Sequence, residues 1–127
     1  MQIVPRTTPS YDPSLLVGQI LNPTQNYAVV AISYECHYPN VFFEKLDESC
    51  KENGYVLLKS DATRSRIQVL LHTPNVESVS TIELERTFGG MARTFADNLS
   101  SAMEEVQDDA IVWWHRISIV PTQTKAI

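Results

Sequence analysis

Glu35 and His37 stand two residues apart in Tyr34-Glu35-Cys36-His37-Tyr38, a spacing that puts both side chains on one face of a strand. A carboxylate beside an imidazole is the smallest unit that can run general acid–base chemistry. It is the best such pair the chain offers, and it would need a cavity completed by a second subunit. His37 is expected to close the first strand and His72 the third. Those strands should run antiparallel as neighbours, which sends the two rings to opposite ends of the sheet and argues against a shared metal. His115 falls in the apolar phase of the last strand and reads as a core histidine.

No glycine-rich phosphate loop, zinc-ligand spacing or nucleophile elbow is present. Cys36 lies at the end of the first strand, beside His37, and Cys50 continues the apolar stripe Phe43, Leu46, Cys50. Both read as reduced, packed thiols. The sequence therefore nominates no catalytic residue, no metal ligand and no cofactor, and an enzyme is the least favoured class.

Charge is the other chemistry in the chain. Glu104, Glu105, Asp108 and Asp109 crowd the end of a helix, where the backbone dipole already presents negative charge. They are expected either to be solvated or to meet a basic protein partner, even as a decoy for a nucleic-acid site. Lys59, Arg64 and Arg66 mark a basic hairpin. With Arg116 and a stacking Trp114 they form the alternative, a nucleic-acid site. The net charge of −5 and pI near 5.1 oppose non-specific attraction to phosphate, so nucleic acid is not favoured.

The elements that must position these groups follow from periodicity. Leu84, Phe88, Met91, Phe95, Leu99, Ala102 and Val106 recur at gaps of 4, 3, 4, 4, 3 and 4, one stripe of a helix from Ser80 to Gln107. Ser80 and Glu83 predict a capping box. Gly89-Gly90 interrupts the helix without breaking its phase, and reads as a kink or a close packing point. A shorter helix runs from an Asn40 cap to Asn53, ended by Gly54.

Tyr27–Tyr38, Tyr55–Ser60, Arg66–Thr73 and Ala110–Val120 are predicted strands. The order is β-α-β-β-α-β, the ferredoxin-like α+β pattern. It predicts an antiparallel sheet ordered 4-1-3-2 with both helices on one face. Residues 1–25 form a Pro-rich N-terminal arm, 26–121 one α+β domain and 122–127 a frayed tail. The apolar arm residues Leu15, Leu16, Val17, Ile20 and Leu21 should pack on this domain or on another copy.

In this scheme Ile111, Trp113, His115, Ile117 and Ile119 face the core. The open sheet face carries Trp114, Arg116, Ser33, Glu35, Arg66, Gln68 and Leu70, with Val29 and Ala31 among them. A partly apolar face left uncovered by its own chain marks a contact surface. The sequence thus points to a non-enzymatic interaction protein that forms a homo-oligomer through that face, the arm, or both. No run of 18 apolar residues and no leader-like N-terminus occurs, so a cytoplasmic protein without membrane contact is expected.

Overall fold

The computed structural model describes residues 16, 18–19, 21–61, 66–74 and 80–120, of which 59–61 and 66 are described by their backbone. Its elements are β1 (Gln25–Glu35), α1 (Pro39–Asn53), β2 (Val56–Asp61), β3 (Arg66–Pro74), α2 (Thr81–Met103), a 3-10 turn (Glu104–Val106) and β4 (Ile111–Ile119). The four strands form one antiparallel sheet in the order β2-β3-β1-β4, the expected 4-1-3-2 order read from the other side. The chain is therefore α+β, in the arrangement expected of a ferredoxin-like topology. The N-terminal residues Leu15, Val17 and Ile20, and the tail 122–127, lie outside the described residues.

Alternation along β1 builds the floor of the core. Ala28, Val30, Ile32 and Tyr34 face the helices beside Ile67, Val69 and Leu71 of β3, and all are buried. Phe42, Leu46 and Cys50 come down from α1, and Phe88, Phe95, Leu99 and Met103 from α2. Tyr34 stacks on Phe42 with ring centroids 4.3 Å apart, while Phe43 meets Tyr34 edge-on.

The buried arc of α2 is turned from the predicted stripe. Ala92, Ala96 and Met103 are inside, Leu84, Met91 and Ala102 are half-buried, and Val106 is exposed on the 3-10 turn. The helix lies mainly over β4 and is flanked on its other side by α1.

The two helices start by different means. At α2, Ser80 Oγ accepts the Glu83 N–H at 3.1 Å, and Glu83 Oε1 accepts the Ser80 N–H at 3.2 Å. This is the predicted box, made within four residues. Asn40 does not cap α1. The cap position is Tyr38, with Pro39 opening the helix, and Tyr38 makes no side-chain capping bond.

Asp108 anchors the two residues just ahead of that helix start. Its carboxylate accepts the His37 N–H at 3.1 and 2.9 Å and the Tyr38 N–H at 2.9 Å. These bonds turn the chain out of the sheet, so β1 ends at Glu35 rather than Tyr38. Gly54 ends α1 in the left-handed conformation at φ 71°, and a β-carbon there would also lie 3.3 Å from His72 Nε2. Gln107 adopts the same conformation after the 3-10 turn, φ 58°, and aims Asp108 inward.

Candidate interaction surface

The decisive local feature is a bulge in β4. Ala31 pairs with Arg116, but the next residue of β1, Ile32, pairs with Trp114. His115 is the extra residue, so the strand changes phase at its middle. Ile117 and Ile119 face the core as predicted. Beyond the bulge the faces exchange: Val112 and Trp114 lie on the helix side, opposite Tyr34 and Ile32, while Ile111 and Trp113 lie on the open side, opposite Glu35 and Ser33.

This corrects the expected placement of both tryptophans and of His115. Trp114 leaves the open face. A β-carbon on Gly89 of α2 would stand 3.9 Å from its Cζ2 and 3.8 Å from Ile117 Cδ1. Trp113 is on the open face, and His115 is exposed rather than in the core. Among the described residues β4 is an edge strand, so one indole lies on each side of an edge whose outer backbone groups meet no described strand. Exposures of 56% for Ile111, 41% for Trp113 and 38% for Trp114 make this the largest run of exposed hydrophobic side chains on one described strand.

The rest of the open face is less bare than its sequence suggests. Leu70, Val29 and Ser118 are adjacent across β3, β1 and β4, and each is buried at 9% exposure or less. Gln68 and Ser33 are half-buried, whereas Glu35 and Arg116 are exposed. Lys59, Gln68, Ala31 and Arg116 form the next row in backbone register. Arg66 pairs with Asp61 at the hairpin end of β3, and Arg64 lies outside the described residues. In the arm, Leu16 and Leu21 are half-buried.

The acidic cluster is divided. Asp108 is 1% exposed and belongs to the fold, so it is removed from any acidic contact surface. Glu105 accepts the Lys45 ammonium at 2.7 Å, tying the end of α2 to α1; that carboxylate raises the lysine pKa chiefly through the hydrogen bond. Glu104 and Asp109 are exposed. Four acids adjacent in sequence thus do not form one exposed acidic site. Their separation needed the fold, because a carboxylate's partner can come from anywhere in the chain.

Among the described residues, surface grooves of about 500 Å³ adjoin α2. One, about 480 Å³, runs between α2 and β4 and is lined by Gly89, Gly90, Arg93, Asp97, Trp113 and Trp114 among others. It holds no histidine or cysteine. A second lies beside Tyr55 and Phe95, and a third, more polar, between Lys45 and Asn98.

The histidines stay apart as expected of opposite sheet ends. His72 Nδ1 is 3.3 Å from Gln25 Oε1, and its ring meets Tyr27 and Tyr55. His37 is exposed, with its backbone held by Asp108. Among the described residues no three His, Cys, Asp or Glu side chains gather closely enough to hold a metal.

Burial pushes the Cys50 thiol up to about 11, with a smaller contribution from Asp47. Cys36 is also raised, by burial and then by the Asp108 charge, against a lowering hydrogen bond from the Tyr38 backbone. Neither environment favours the reactive thiolate.

No helix among the described residues is long and apolar enough to cross a membrane. In comparisons with known proteins, no family model, curated protein or solved structure matches this chain.

Proposed function

We propose that this chain is a non-enzymatic interaction module, a ferredoxin-like α+β sandwich that self-associates through the β4 side of its sheet. The observation that carries this reading is the exposure of Ile111, Trp113 and Trp114 on an edge strand. Exposed aromatic side chains along an unpaired strand edge favour association, because the contact removes apolar area from water and completes backbone hydrogen bonds together. The interaction surface expected on the whole open face contracts to its β4 end. A homo-oligomer, or a subunit of a larger assembly, is the working state. Its free thiols fit a reducing compartment such as the cytoplasm.

Light scattering across a concentration series tests this directly. A particle heavier than the 14.3 kDa chain at high micromolar concentration is expected, reverting to the single-chain mass in a Trp113→Ser/Trp114→Ser variant. A single-chain mass throughout would overturn the reading. The nucleic-acid alternative keeps Lys59 and Arg116 in one backbone row but loses Trp114 as its stacking ring. A salt-sensitive shift with single-stranded oligonucleotide, lost in Arg64→Ala/Arg66→Ala, would promote it.

A further inference from the structure

Resting on that reading, we infer that the partner is a second copy of this chain, joined edge to edge by antiparallel pairing of β4 with β4 about a two-fold axis beside Gly89. The bulge selects the register. Antiparallel neighbours place directly opposite residues on the same sheet face. Val112, Trp114, Ile117 and Ile119 share the helix face, whereas Ile111, Trp113, Arg116 and Ser118 share the open face.

One register matches both sets across a dyad. Trp114 lies opposite Ile117 of the second copy, Val112 opposite its Ile119, Trp113 opposite its Ser118 and His115 opposite its Arg116. The axis passes between positions 115 and 116, the middle of the strand. Like faces then meet on both sides of the bulge.

An independent feature of α2 falls on the same axis. Gly89 sits over Trp114 and Ile117, the two residues that this register pairs around the dyad. Because α2 packs chiefly on the edge strand, joining two sheets at that edge sets the two α2 helices antiparallel and close together. Glu85, Gly89 and Arg93 follow at i, i+4 and i+8 on one flank.

A two-fold at Gly89 sets each Glu85 against Arg93 of the other copy. Both side chains are exposed, and neither takes part in an ion pair among the described residues. The flank is self-complementary in charge, and glycine at its centre lets the helices approach. This arrangement also gives a reason for Gly89, a costly residue in the middle of a 23-residue helix.

Two measurements on the full chain test the geometry separately from self-association. Glu85→Arg alone, or Arg93→Glu alone, should weaken the dimer roughly tenfold, and the two together should restore it. A chain carrying His115→Cys, mixed with one carrying Arg116→Cys, should form a disulfide-linked pair on mild oxidation. Neither the unsubstituted chain nor a mixture of it with either variant should do so. A native chain that associates, yet shows neither the charge rescue nor the mixed cross-link, overturns this two-fold and leaves the interaction reading standing. A chain that stays single at high micromolar concentration overturns both.

Discussion

The Asp108 corner and the Trp113–Trp114 flank are five residues apart in the chain and opposite in kind. At the corner a carboxylate is withdrawn from water, and the N–H groups of His37 and Tyr38 answer it. At the flank two indoles and Ile111 remain exposed, beside a strand edge that pairs with no other described strand. A buried charge is tolerated only when its hydrogen-bonding capacity is used, so the corner is complete within one chain. Exposed aromatic area is tolerated by folding but is lowered in free energy by any cover. The corner belongs to stability and the flank to association.

Substitutions should separate the two. Asp108→Ala leaves two N–H groups without their carboxylate at the entry to α1, and should cost about 3 kcal/mol in urea unfolding. A loss under about 0.5 kcal/mol would mean the corner does not hold the helix start. Trp113→Ser, on the open side of the flank, should cost no more than about 1 kcal/mol at concentrations where the chain is single, while sharply lowering association. Equal damage to folding by both variants would erase the distinction.

Gln107→Gly relieves the left-handed backbone that delivers Asp108, and should raise stability by about 0.5 kcal/mol. Smallest of all, Asp109→Ala should change stability by less than about 0.5 kcal/mol, because that acid is exposed. The contrast between neighbouring aspartates is the sharpest form of the comparison, and thermal unfolding of the pair suffices to measure it.

Much of the fold was legible in residue types. Alternation of Ala28, Val30, Ile32 and Tyr34 marks a half-buried strand because side chains in a strand point to opposite faces in turn. Ser80 with Glu83 announces a helix start because donor and acceptor lie within one turn. Gly54 marks a helix end because a left-handed residue without a β-carbon is unstrained. From such elements the order of the sheet follows by short connections and crossover handedness.

The candidate surface was legible in part. The tryptophans, the apolar last strand and the idea of an uncovered face come from sequence, but the sides do not. Strict alternation carried from Ile117 and Ile119 puts Trp113 inside and Trp114 outside, and one inserted residue at His115 reverses both. No residue type in Trp113-Trp114-His115-Arg116 signals that insertion. It arises from how β4 seats against β1 and α2.

The sequence by itself determined what depends on neighbours along the chain: strand alternation, helix phase, local caps and the order of elements. Only the tertiary structure decided which acid is buried, which indole meets α2 and how much of the open face stays wet. Local periodicity records which residues can share a face. Burial and hydrogen bonding depend on groups such as Tyr38 and Asp108, 70 residues apart, which meet only when the sheet and helices pack.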